Sequence, residues 1–95
     1  MIKQEITVSN QYGIHARPAA LIAKTAGKFV ADVWLEKDGV TVNAKSILNV
    51  MTLAADHGEK IRIGAQGDGE KQAVDELVLL FDSGFNENSP QKEQK

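Results

Sequence analysis

Hydrophobic and polar positions alternate from the first residues of the chain. Ile2, Gln4, Ile6 and Val8 interleave with Lys3, Glu5, Thr7 and Ser9. A period of two predicts a half-buried β-strand over 2–8. A polar loop, Ser9 to Gly13, comes next. The spacing then changes. From Ala16, the run Ala19, Ala20, Ala23 and Ala26, with Leu21 and Ile22, has helical period and high helix propensity, with Gly27 at the C-cap. Val30 to Lys37 returns to period two. Ala31, Val33 and Leu35 point inward, and Asp32, Trp34 and Glu36 point outward. Asp38-Gly39 is a strong hairpin signal, and Val40, Val42 and Ala44 continue as a third strand.

The next segment, from residue 47 to about 54, predicts a short helix with Ser46 as its N-cap. Its apolar residues exceed one face. Ile47, Leu48 and Met51 lie on one side, and Val50, Leu53 and Ala54 on the other. One side faces the core and the other stays partly exposed, as interaction surfaces on small domains do. Asp56-His57-Gly58 reads as a turn. Ile61, Ile63 and Ala65 alternate with Lys60, Arg62 and Gly64 as a fourth strand, broken at Gly67-Asp68-Gly69. A last helix runs from Glu70 to about Ser83, with Val74, Leu77, Val78, Phe81 and Phe85 as its apolar stripe. The domain is expected to span 1–86, with 87–95 a disordered polar tail. The order βαββαβα, four strands with helices on one face, defines an α+β layer pair.

Composition narrows the class. Ninety-five residues allow one domain with one modest core. A net charge of −2 argues against a nucleic-acid binder. The absence of cysteine excludes disulfides and thiolate metal sites. The start, Met1-Ile2-Lys3-Gln4-Glu5, is too polar for a signal peptide, and no apolar run reaches membrane-spanning length. Gly67-Asp68-Gly69 lacks the Lys-Ser/Thr pair of a phosphate-binding loop. His57 has no Cys or second His nearby to make a metal site. No cofactor and no metal are expected.

The chemistry concentrates in Gly13-Ile14-His15-Ala16-Arg17-Pro18-Ala19-Ala20. Pro18 belongs in a first helical turn, where a missing N–H costs nothing. His15 therefore sits at or just before that turn, at the positive end of the helix dipole. Imidazole is a competent nucleophile near neutral pH, and a guanidinium two residues on would bind phosphoryl oxygens. A plain surface or N-cap histidine fits the same spacing.

These residues resemble the active-site signature of the HPr family, the histidine-containing phosphocarriers of the bacterial phosphotransferase system. A second stretch, Ala44-Lys45-Ser46-Ile47-Leu48-Asn49-Val50-Met51-Thr52-Leu53, resembles that family's regulatory-serine segment. The likeness covers roughly residues 1–86. It implies an open-faced β-sandwich, an antiparallel four-stranded sheet covered on one face by three helices. It implies a carrier rather than an enzyme: His15 takes the phosphoryl group through Nδ1 from Enzyme I, with phosphoenolpyruvate as source, and Arg17 stabilises the charge. The group then passes to an Enzyme IIA-type acceptor. Ser46 would be the target of HPr kinase/phosphorylase. Ile47, Leu48 and Met51 would dock partners. The charges of Lys24, Lys28 and Lys45 suit steering of acidic partners, and a solvated helix surface explains them as well. A cytoplasmic monomer without direct membrane insertion is expected.

Tyr12 departs from the small polar residue of many sugar-branch members, and the end Leu80-Phe81-Asp82-Ser83-Gly84-Phe85 resembles the nitrogen-related branch, NPr. Two other classes remain open from the residues alone. One is a phosphohydrolase of acylphosphatase type. The other is a regulatory module that binds through Ile47, Leu48 and Met51 without phosphotransfer.

Overall fold

The structure, a computed structural model, describes residues 1–86 of the chain. The expected tail, 87–95, lies outside the described residues. The elements are β1 (Ile2–Thr7), α1 (Ala16–Ala26), β2 (Asp32–Lys37), β3 (Val40–Asn43), α2 (Ile47–Thr52), β4 (Lys60–Gln66) and α3 (Glu70–Asp82), and then a 3-10 turn, Gly84–Asn86. All strand pairs are antiparallel, in the order β1-β4-β2-β3. This is the expected α+β sandwich with one sheet face left open.

The period-two pattern explains the layers. Ile6, Val8, Val33, Leu35, Val42, Ala44, Ile61, Ile63 and Ala65 are buried on the helix side. Ile22 and Ala26 from α1, Val50 from α2 and Val74, Leu77 and Phe81 from α3 complete the same core. Gln4, on that face by alternation, is exposed because β1 is an edge strand.

Several boundaries differ from the sequence expectation, each for a local reason. The second strand begins at Asp32, and Val30 stays 83% exposed, because Phe29 N–H donates to Ala26 O and Ala31 N–H to Asp68 O, holding the segment in a turn. Gly27 caps α1, but in right-handed geometry (φ −66°, ψ −14°) rather than the left-handed one glycine usually supplies. The short helix ends at Thr52, and Ala54, placed on its inner side by periodicity, turns left-handed (φ 53°) and is exposed. Phe85 is buried, but beyond α3 rather than on it.

The open face carries one tight contact. Trp34 opposes Gly64 across β2 and β4, and a Cβ on Gly64 would run into the indole ring. The ring is held flat by its Nε1–H donating to Glu36 Oε2 at 2.7 Å. That bond, then the Lys3 ammonium and the Arg62 guanidinium, hold the Glu36 carboxyl below its usual range. Its contribution is present at neutral pH and fades as acid titrates the carboxylate. Gly64→Ala will destabilise the fold by about 1–3 kcal/mol through overpacking. In a Trp34→Ala background the same change will be neutral or stabilising, because the clash is gone and the alanine restricts the unfolded chain. Urea midpoints of the four proteins check this; additive losses would refute it.

Candidate functional site

His15 is the N-cap of α1, with extended backbone (φ −94°, ψ −165°) and no side-chain capping bond. Its ring is therefore not engaged in closing the helix, and the residue is exposed. The first helical bond runs from Ala19 N to His15 O, 2.9 Å. The amides of Ala16 and Arg17 precede that ladder, and Pro18 has no amide to place. The helix dipole and these N–H groups make the end electropositive.

The loop before His15 is clamped from both sides. Ile14 is buried, and its N–H donates to Ala55 O at 2.9 Å. Gly13 has φ +70°, and a Cβ there would meet Ala55 O at 2.5 Å and Asp56 Cα at 2.9 Å. Only glycine combines that conformation with that approach. Asn10 is fully buried, and its Nδ2 donates to Gly13 O at 2.6 Å. The Asn10 carbonyl accepts from Gly13 N at 3.3 Å and lies 3.2 Å from His57 Nδ1. A carbonyl only accepts, so that contact assigns the proton of His57 to Nδ1. His57 is a loop histidine as expected, but one that fastens the active loop. Nothing in the sequence pairs position 10 with position 57. Only the packing of the two turns brings them together.

Arg17, exposed on α1, donates from Nη1 to Phe85 O at 3.0 Å. A charge-assisted bond of this kind contributes about 1.5 kcal/mol, the low end for charged donors, given its exposure. The Tyr12 ring meets the His15 ring edge-on, with centroids 6.4 Å apart and planes at 78°. Tyr12 is 71% exposed, so it shapes the outer surface beside His15 rather than the core.

Ser46 caps α2 as the sequence predicts: its Oγ accepts from Asn49 N at 3.2 Å and from Asn49 Nδ2 at 3.0 Å. The two-sided helix resolves cleanly. Val50 and Leu53 are buried, while Ile47, Leu48 and Met51 remain exposed, Leu48 by 75%. α2 packs beside α1 and β3.

The lysines separate. Lys24 is exposed in the last turn of α1, seven residues after Arg17 and so about 10 Å along the same helix face. Lys28 instead pairs with Glu76 at 2.6 Å, and Lys45 Nζ donates to Phe29 O at 2.8 Å. Lys28 is in an exposed ion pair on the surface, and Lys45 bonds to the backbone in a partly buried contact. Among the described residues, no cluster of His, Cys, Asp and Glu could hold a metal ion, and no helix is long and apolar enough to cross a membrane. Two surface recesses, beside the β2–β3 hairpin and between α1 and α3, are lined by neither His15 nor Arg17. The histidine is exposed at a helix end, where another protein can reach it.

Comparisons with known proteins agree with this geometry. The family model described as "PTS HPr component phosphorylation site" matches residues 2–83. The HPr-like protein Crh of Bacillus subtilis is 46% identical over 78 residues, 82% of this chain and 92% of that one. The phosphocarrier protein HPr of Xylella fastidiosa (strain Temecula1) is 43% identical over 89 residues, 94% of this chain and all of that one. The solved HPr of Thermoanaerobacter tengcongensis superposes with a TM-score of 0.89 at 44% identity, covering 93% of this chain and 99% of that one. A second structure of that protein is a dimer. With an exposed histidine capping α1 on an open-faced sandwich, and with these relatives, the chain belongs to the HPr family of phosphocarrier proteins of the phosphotransferase system.

Proposed function

We propose that His15 accepts a phosphoryl group from a phosphohistidine of Enzyme I in the cytoplasm, with phosphoenolpyruvate as the source, and delivers it to an Enzyme IIA-type acceptor. The carrying observation is the exposed imidazole at the α1 N-terminus with Arg17 two residues on. In the step, a nitrogen of His15 attacks phosphorus, the donor's N–P bond breaks, and one proton passes from the acceptor ring to the donor ring. No oxidant or cofactor enters the balance. Arg17 and the first-turn amides stabilise charge on the travelling group by position, not by acid–base work. The protein is turned over by its partners and needs no small-molecule pocket.

The test is intact-mass measurement after incubation with phosphoenolpyruvate, magnesium and an Enzyme I, from the sugar branch and the nitrogen branch separately. One phosphate, lost in acid and stable in base, is the expected result. The faster donor names the branch. No adduct with either donor on folded protein would replace this reading with a binding module that acts through Ile47, Leu48 and Met51.

Docking is assigned to the exposed side of α2, with Lys24 on the neighbouring helix. Leu48→Asp places a charge at the most exposed apolar position of that helix and leaves the core untouched. It will slow transfer from Enzyme I by about tenfold or more, a hot-spot loss above 1 kcal/mol, while shifting the melting temperature by only a few degrees. Transfer at the unaltered rate would remove this surface from the docking site.

Ser46 is assigned as a regulatory phosphorylation site for an HPr kinase/phosphorylase. A phosphate at the start of α2 is tolerated by the helix, but it sets about −2 of charge beside the apolar surface. Ser46→Asp will therefore slow transfer to His15 in a stopped assay with Enzyme I. An unchanged rate would count against the switch.

A further inference from the structure

The turn after α2 supports the His15 loop. Ala55 O accepts from Ile14 N at 2.9 Å, and His57 Nδ1 lies 3.2 Å from Asn10 O. Two side chains tie the turn itself. Lys37, the last residue of β2, donates from Nζ to Ala54 O at 3.0 Å and to Glu59 Oε1 at 3.1 Å. Glu59 Oε1 also accepts from Asp56 N at 2.7 Å. We propose that Lys37 and Glu59 are positioning residues for transfer at His15, acting by fixing the turn of residues 54–59 on which its loop hangs. The proposal rests on His15 being the residue that takes the phosphoryl group.

Three observations carry it. First, the ties bracket Ala55. One grips the carbonyl of the residue before it, the other the N–H of the residue after it. A shift of either moves the Ala55 carbonyl and, through Ile14 N, the residue that precedes His15. Second, Ala54 is left-handed, with φ 53°, a conformation that costs a residue carrying a Cβ. Such a backbone persists only where surrounding contacts enforce it. The Lys37 bond is one of these contacts, and the bond from Ala54 N to Met51 O at 3.1 Å is another. Third, the Lys37 side chain is only 15% exposed, although it ends in a charge. Its ammonium is thus held in place rather than left in solvent. The Asp56 N–H, and after it Lys37, keep the Glu59 carboxyl below its usual range, so it accepts both bonds as a carboxylate at neutral pH.

Stability and transfer should respond differently to loss of these ties. An ion pair near the surface adds little to stability. Alignment is far more sensitive: a misplacement near 1 Å costs up to about 10²-fold in rate. Neither residue lies on α2, so the apolar docking surface keeps its composition.

The experiment uses the full chain. Transfer from Enzyme I with phosphoenolpyruvate is measured against carrier concentration, well below the melting temperature. Amide hydrogen exchange is followed at Ile14, with Ile63 in β4 as control. Lys37→Met keeps the length of the side chain and removes both donated bonds. Its kcat is expected to fall about tenfold, with KM changed by less than about twofold. Its melting temperature should fall by only a few degrees. Ile14 should exchange about tenfold faster through local opening, with Ile63 unchanged. Glu59→Ala should behave in the same way. Glu59→Gln keeps an oxygen for Asp56 N and for Lys37, and should restore kcat to within about twofold of the parent.

Parental kcat in Lys37→Met and Glu59→Ala would overturn the proposal. So would a loss carried by KM alone, because the variants would then act on docking. Equal losses in Glu59→Gln and Glu59→Ala would overturn it too, since keeping the acceptor would not keep the rate. Faster exchange at Ile63 as well as Ile14 would reduce both residues to a purely structural role. No adduct on the parent protein would refute the carrier reading and with it the effect on transfer. Ile14 would then decide alone: faster exchange in Lys37→Met supports the hold on the loop, and unchanged exchange overturns it.

Discussion

His15→Ala will fold like the parent protein and take up no phosphate from Enzyme I. The two halves of that expectation have different causes. The residue is exposed and its side chain makes no capping bond, so the helix loses no side-chain cap with it. Stability should change by less than about 1 kcal/mol, as for an exposed residue whose side chain makes no capping bond. Phosphate uptake, in contrast, needs a nitrogen lone pair at that place, and alanine has none. The chain holds one other histidine, His57, whose Nδ1 faces the Asn10 carbonyl rather than a partner surface. Intact mass and a thermal melt on one preparation check both halves. An acid-labile adduct persisting in His15→Ala would move the carrier role to His57. A large fall in melting temperature would leave the loss of uptake without a chemical explanation.

Gly13→Ala, two residues away, will do the opposite and strike the fold first. A non-glycine residue at φ +70° costs about 1–2 kcal/mol from Cβ sterics alone. The added methyl would also lie 2.5 Å from Ala55 O and 2.9 Å from Asp56 Cα. Both are backbone atoms, so no side chain can swing aside. The 54–58 turn or the His15 loop must shift, at a further cost of overpacking size. The sum is about 2–5 kcal/mol, a fall in melting temperature of roughly 10–40 °C for a domain of this size. Because Ile14 N and the Asn10 amide set the position of His15 through the same loop, transfer should also slow, by up to about 10²-fold for a displacement near 1 Å. Melting within a few degrees of the parent would show that the loop accommodates a methyl group, contrary to its tight packing.

These two variants show where sequence reading succeeds and where it stops. The alternation in β1, β2 and β4 and the alanine spacing in α1 specify their elements because each pattern is local and periodic. The position of His15 was legible for the same reason: Pro18 restricts the helix start to within one turn. Ser46 was legible as a cap because capping is a contact between residues three apart. The two-sided apolar pattern of α2 was visible, and so was the prospect of an exposed side.

The amino-acid sequence by itself determined the element order, the inward faces, the helix start beneath His15 and, through two motifs in register, the family. All of these arise from short-range sterics, hydrophobic periodicity and motif spacing. The tertiary structure alone decided that Lys28 pairs with Glu76, that Lys45 bonds to Phe29, and that Trp34 lies over Gly64. It alone joined Arg17 to Phe85, 68 positions apart, and Asn10 to His57, 47 apart. Contacts across such separations depend on how the layers pack, and no periodic signal in the chain encodes the packing of one turn against another.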